Sequence, residues 1–288
     1  MKSKVYFCTD ITPENVCKLY AAVGKPLPGK VAVKLHSGEK GNQNFIGPEL
    51  WRPLIEELGG TVVECNTAYA GSRSTTAKHM VTLREHGWTR YFDVQLLDES
   101  GPDLELPVEN GRILRTNYVG RHLAEYDSML VLSHFKGHPM GGYGGALKQL
   151  SIGAASAYGK AHIHGAGDAK KLWKGDHDSF LCAMAEAAAT VVKYLNGNVV
   201  YVNVMKNLSV DCDCCAVAED PCMKDIGIIA SADPVAADQA CLDMVYASKD
   251  PGRDHLVERI ESRNGVYTVE CAEMLGLGSR EYELIKLD

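Results

Sequence analysis

The chain has 288 residues, with 30 Lys and Arg against 37 Asp and Glu, and a net charge of −7. Apolar residues make up 45%, enough for a sizeable core and against global disorder. No basic stripe of the kind that tracks a nucleic-acid backbone is present; the densest candidate, Lys170-Lys171-Leu172-Trp173-Lys174, is short and flanked by Asp168 and Asp176.

No apolar stretch reaches the roughly 18 residues a membrane span needs. The first residues meet Asp10 before a signal-type apolar region can form. These features predict a cytoplasmic protein with no nucleic-acid or membrane partner. Structural disulfides are rare in that compartment, so the ten cysteines are expected as free thiols, ligands or redox groups. Six are scattered (Cys8, Cys17, Cys65, Cys182, Cys241 and Cys271) and read as small buried hydrophobes.

Along the chain, short β-rich apolar runs alternate with helical stretches. Val5 to Cys8 reads as a strand. A helix follows from Thr12 to Val23, with Thr12 as N-cap, Pro13 at its first position and Gly24 past its end. Val31 to Leu35 is a strand, Pro48 to Leu58 a helix closed by Gly59-Gly60, Thr61 to Cys65 a strand, and Ser74 to Glu85 a helix. Asp98 to Gly111 reads as a loop or hairpin, Ile113 to Tyr118 as an edge strand, and Ser128 to Ser133 as a buried strand. A Gly-rich loop and a helix from Ala146 to about Ala157 come next. Then follow a helix Ser179 to Leu195, a strand Val199 to Val204, a strand Ile226 to Ala230, a helix from Pro234 capped by Asp233, and one more helix after Asp254. The alternation predicts a layered α/β fold, a mostly parallel sheet flanked by helices. It reads as a single domain over 1–288, with an inserted subdomain near 98–120 as the alternative.

Three segments carry chemistry. Cys212, Cys214, Cys215 and Cys222 crowd one short polar loop after a strand. Thiolates are soft ligands that suit zinc, copper(I) and iron–sulfur clusters. The four are therefore expected to hold an iron–sulfur cluster or another thiolate-bound metal. Their spacing matches neither paired CxxC zinc motifs nor the ferredoxin run. Redox-active thiols and a ligand-free loop are the alternatives. The second segment, with Gly141, Gly142, Gly144, Gly145 and Lys148, runs from a strand into a helix N-terminus. That geometry binds anions, so a flavin nucleotide or other phosphate is the expected cofactor there; the alternative is a tight packing turn. The third set sits at strand ends, where α/β proteins build their sites. His36, His134 and His138 are candidate acid–base or ligand residues, and Arg73 is a candidate anion clamp. The pair His162 and His164 reads as a solvated turn rather than a metal pair.

Several of these stretches together resemble one family. They are Lys34-Leu35-His36-Ser37-Gly38-Glu39-Lys40-Gly41-Asn42, Asn66-Thr67-Ala68-Tyr69-Ala70-Gly71-Ser72-Arg73, and Ser133-His134-Phe135-Lys136-Gly137-His138 with Gly144-Gly145-Ala146-Leu147-Lys148. Asp211-Cys212-Asp213-Cys214, Asp225-Ile226-Gly227 and Asp233-Pro234-Val235-Ala236-Ala237-Asp238 complete the set. The resemblance is to the uncharacterised iron–sulfur centre proteins of domain of unknown function three-six-two, from about residue 30 to 247. It implies no single reaction. Many similar proteins carry an added ferredoxin-like module with two clusters; this chain shows no such cysteine run, so any cluster would use the 212–222 cysteines.

The leading expectation is thus a redox protein or oxidoreductase, with a metal or cluster on the cysteine loop and a flavin at the glycine loop. Its partners would be a small-molecule substrate or an electron-transfer protein, and it could act as a homodimer. A non-redox zinc protein, and a hydrolase or transferase using the strand-end histidines, are the alternatives.

Overall fold

A computed structural model describes residues 2–288. Its twelve strands are β1 (Ser3–Cys8), β2 (Val31–Lys34), β3 (Thr61–Glu64), β4 (Val94–Leu96), β5 (Leu104–Pro107), β6 (Thr116–Val119), β7 (Ser128–His134), β8 (Lys136–His138), β9 (Gly142–Gly144), β10 (Val199–Met205), β11 (Gly227–Ser231) and β12 (Tyr282–Lys286). The helices are α1 (Pro13–Val23), α2 (Pro48–Leu58), α3 (Thr76–Glu85), α4 (Trp88–Tyr91), α5 (Ala146–Ser151), α6 (Ala157–His164), α7 (His177–Tyr194), α8 (Pro234–Ala247), α9 (Arg253–Ser262) and α10 (Tyr267–Met274).

Eight strands form one sheet in the order β12-β1-β11-β10-β7-β2-β3-β4. Only β11 runs against the others, being antiparallel to both β1 and β10. The expected mostly parallel α/β sheet is what forms. Successive side chains on its strands alternate between two cores. Leu130 and Leu132 of β7 face one core with Trp51, Leu54 and Ile55 of α2. Met129 and Val131 face the other with α5, α7 and α8. No helix among the described residues is long and apolar enough to cross a membrane.

The strand order fixes where a site can form. From β2 the chain steps outward through β3 to β4, then returns to the other side of β2 with β7 and moves on to β10. Helix α2 follows β2 onto one face, whereas α5 follows β7 onto the other. The crevice between the carboxyl ends of β2 and β7 is therefore a topological switch point, where α/β sheets open for ligands.

Several local expectations change. The helix expected from Ala146 to Ala157 ends at Ser151, and α6 starts afresh behind Ser156, whose hydroxyl accepts from Gly159 N at 2.9 Å. Gly153 lies just past the break, its backbone so close to Gln149 that a Cβ would meet the Gln149 carbonyl. His162 and His164 are thus helical rather than part of a turn. The Gly-rich loop is a β8–β9 hairpin. The acidic 98–111 stretch contributes β5, which pairs with β6 outside the main sheet. Strand β12 is an addition; its exposed, polar sequence carries too weak an apolar pattern to stand out. Cys182 and Cys271, expected as free thiols, are joined in a disulfide between α7 and α10, with Cα atoms 5.4 Å apart.

Candidate functional site

The loops after β2, β3, β7 and β10 converge on the switch point. They enclose a cavity of about 360 Å³ that includes His36, Arg73, His138, Lys148, Cys214 and Cys215 in its lining. Glu64, Tyr69, Lys160, His164 and Trp173 also face it.

The cysteine loop begins in a tight turn, Cys215 N donating to Cys212 O at 2.9 Å. Asn42 fixes the turn from outside, its side-chain amide donating to the Cys212 and Cys215 carbonyls at 3.3 and 2.8 Å. Inside it, the Asp213 carboxylate is buried between His134 Nδ1 at 2.8 Å and Lys136 Nζ at 2.7 Å. Burial alone would raise the Asp213 pKa. His134 and Lys136 outweigh it and hold the carboxyl well below its ordinary value. His134 also engages the Lys206 carbonyl through Nε2. Both its ring nitrogens are occupied, and through Asp213 His134 holds the cysteine turn in place.

Within the turn, Cys212 Sγ, Cys214 Sγ and a ring nitrogen of His138 lie within 4.8 Å of one another, a group that could hold a metal ion. Cys215 lines the cavity beside them. Cys222 does not join: its thiol donates to the Leu208 carbonyl at 3.2 Å, and its side chain packs against the core. Of the four expected thiols, Cys212, Cys214 and Cys215 come together beside His138, and Cys222 does not. Burial pushes the Cys212 thiol well up, although Lys148 Nζ sits 3.2 Å from it. Cys215, more open, is pulled down by a hydrogen bond from Cys214.

His138 is neutral: burial, with Lys148 adding repulsion, holds its pKa well below the ordinary value. Its Nδ1 accepts from Gly141 N at 2.8 Å and Met140 N at 3.2 Å, which leaves the ring proton on Nε2, 4.0 Å from Cys214 Sγ. His36 is arranged alike, Nδ1 accepting from Gly38 N at 3.1 Å, and is likewise kept neutral by burial. Arg73 is buried, and its Nε pairs with Glu39 at 3.1 Å. Burial would raise the Glu64 pKa, but Lys34 at 2.8 Å outweighs it and keeps the carboxyl well below its ordinary value.

The glycine loop leads into a helix N-terminus that is capped from within the chain. The α5 N-terminus that was to receive a phosphate is already filled by Asp238 from α8. Its carboxylate accepts from Ala146 N at 2.7 Å, Leu147 N at 3.0 Å, Asn203 Nδ2 at 2.8 Å and Tyr143 OH at 3.2 Å. Gly145 is glycine because a Cβ would collide with that carboxylate, and Gly142 because its φ is 74° where the chain crosses Gly265. Gly141 serves His138, and Gly144 packs beside Lys136 and Lys148. None of the four presents a free anion cradle. Of that segment, Lys148 alone reaches the cavity.

Sequence reasoning passed over Tyr69, Lys160 and Trp173, and it read His164 as part of a solvated turn. His164 is buried on α6, stacked on Phe180 with ring centroids 4.7 Å apart, and its Nδ1 has no partner among the described residues. Burial drops its pKa to about 3. Tyr69 and Trp173 stand against each other, ring centroids 5.8 Å apart. The available signal was Ser156 as an N-cap, which would have made 157–164 a helix.

Comparison with solved structures finds the same layered architecture. The lactate racemase apoprotein from Thermoanaerobacterium thermosaccharolyticum has a TM-score of 0.50 and 11% identity, and the match covers 85% of this chain and 57% of that one. A crystal structure of a Thermotoga maritima protein has a TM-score of 0.47 and 12% identity, covering 91% and 58%. The chain thus spans under two thirds of either protein's length. No curated protein matches the sequence. The family described as Domain of unknown function (DUF362) matches residues 31–243, which hold the switch point, the cysteine turn and Asp238. This chain belongs to that family.

Proposed function

We propose that the chain is a metal-binding protein, with one ion on Cys212, Cys214 and His138, acting on a small molecule in the adjoining cavity. The observation that carries this reading is the convergence of two thiols and an imidazole within 4.8 Å at the sheet's switch point. Two thiols and an imidazole suit zinc and other borderline-soft ions, with Cys215 at hand as a further thiol. Cys212, Cys214 and His138 lie within the spacing of ligands on one ion, whereas Cys222, tied to Leu208, is not positioned to join them. A bound ion of this kind would supply a Lewis acid or, if redox-active, an electron-transfer centre. The protein's own part is to hold the turn through Asn42, Asp213 and His134, and to shelter the cavity with Tyr69 and Trp173.

One observation favours a second reading, an ion-free reactive thiol site. Two backbone N–H groups aim at His138 Nδ1, leaving its proton directed toward Cys214. Metal ligands more often donate from the second nitrogen.

Anaerobic purification with elemental analysis and a visible spectrum decides between them. The metal reading expects about one ion per chain, lost in Cys212→Ser and Cys214→Ser and retained in Cys222→Ser. A protein that stays metal-free after reconstitution, while Cys214 alkylates far faster than Cys222, would establish the thiol reading instead. A broad visible band from bound iron or copper would mark the site as redox-active; colourless stoichiometric zinc would rule that out.

A further inference from the structure

We propose that the cavity takes the oxyanion end of a small organic acid, gripped by Arg73, Lys148 and Lys160. The inference deepens the reading above by naming a substrate class. It rests on that reading's use of the cavity, but not on the ion.

The argument is one of unmatched donors. Arg73, Lys148 and Lys160 are all buried or nearly so, and all three line the same cavity. Each is under-used. Among the described residues, Arg73 spends only Nε, on Glu39, and leaves both Nη groups free. Lys160 Nζ meets only the Ala155 carbonyl at 2.6 Å, and Lys148 Nζ only Cys212 Sγ. His36 adds another donor, since its Nδ1 is an acceptor and its proton sits on Nε2.

Acceptors on the lining are scarce. The one carboxylate, Glu64, is already consumed by Lys34 and by Ser37 N at 2.8 Å. Buried cations without acceptors are costly. A cavity lined by three cations, of which only Arg73 has a carboxylate partner, is complementary to a ligand bringing several acceptor atoms and negative charge. An arginine fork matches the two oxygens of a carboxylate or phosphoryl group. Met140, Ile152, Tyr69 and Trp173 add an apolar and aromatic part to the same lining. The ligand therefore carries an apolar body behind its charged end.

Calorimetric titration of the full chain with benzoate, phenylphosphonate and the neutral benzamide tests this. The expected result is that benzoate or phenylphosphonate binds at least about tenfold more tightly than benzamide. Whichever is stronger identifies a carboxylate or a phosphoryl end. Arg73→Lys keeps the charge but loses the fork, and Lys160→Met removes one cation; each should weaken the better anion about tenfold or more. Circular dichroism and melting temperature, measured without ligand, confirm that these variants are folded. The proposal is overturned if benzamide matches the anions, if none of the three binds, or if both folded variants bind like the parent. Metal content is measured on the same preparations, so failure of the ion assignment and failure of the anion assignment show up in separate readouts.

Discussion

Asp238→Ala should be among the most damaging single substitutions in the chain, lowering unfolding free energy by about 4 kcal/mol or more. The carboxylate is fully buried and satisfies four donors at once: two amides of the α5 N-terminus, Asn203 and Tyr143. Alanine would leave all of them in a dry cavity. Asp238→Asn should cost less, because its carbonyl still accepts from Ala146 and Asn203 and the Tyr143 hydroxyl can turn to accept. Only the Leu147 amide would then face another donor.

The two variants also separate the effect of charge. Burial outweighs those hydrogen bonds and pushes the Asp238 pKa from 3.8 to about 6. A group whose folded pKa is raised contributes stability that is fully present below its unfolded pKa and is lost as pH rises through the folded one. Between about pH 4 and pH 6 the parent should therefore lose stability relative to Asp238→Asn, by up to about 3 kcal/mol. Urea unfolding of the three proteins at pH 4.5 and 7.5 measures both effects. A parent-to-Asn difference that does not move with pH would show that Asp238 does not titrate in this window. An alanine variant within about 1 kcal/mol of the parent would remove Asp238 from its role as the helix cap.

Asp238 also explains where the sequence misled. A glycine-rich stretch between a buried strand and a helix has the local pattern of a phosphate loop. That pattern cannot report that an anion is already supplied by a residue more than ninety positions away. The fold was more legible, because its signals are local. Thr12 and Asp233 cap the helices they were expected to cap, and the β2, β3, β7 and β10 runs are continuous apolar segments. Strand-end logic also offered His36, Arg73 and His138 as edge residues, and all three line one cavity; it did not connect the cysteine loop to them. It could not separate His134 from His138, two polar residues four apart. One spends both ring nitrogens on Asp213 and Lys206, whereas the other faces the thiols. Cys222 was grouped with the other cysteines by proximity in sequence, while its thiol follows the Leu208 carbonyl.

Asp213 carries the second large expected effect, on fold and site together. It stands between the two thiols of the proposed ion site in sequence, yet its side chain points away from solvent to His134 and Lys136. Asp213→Ala would leave the Lys136 ammonium buried without its counter-charge, and breaking such a pair costs about 3–5 kcal/mol. Asp213→Asn keeps the shape but loses the charge, and its amide hydrogens would oppose Lys136. The sign of the pH dependence is opposite to that of Asp238. Burial works to raise the Asp213 pKa, but His134 and Lys136 depress it on balance. Its contribution is therefore present above the unfolded value near 3.8 and is lost as pH falls below it through the depressed folded pKa. The parent should lose stability on acidification below about pH 4, where Asp213→Asn loses none from this source. The same substitution tests the site. The Asp213 backbone carbonyl accepts from Glu39 N at 2.8 Å, so the turn is tied on both sides of the pair. Loosening it should lower the metal content of Asp213→Asn even though all four loop cysteines remain. If the variant is destabilised yet loads metal like the parent, Asp213 braces the fold alone, and the cysteine turn owes its shape to Asn42 and the Cys212–Cys215 hydrogen bond.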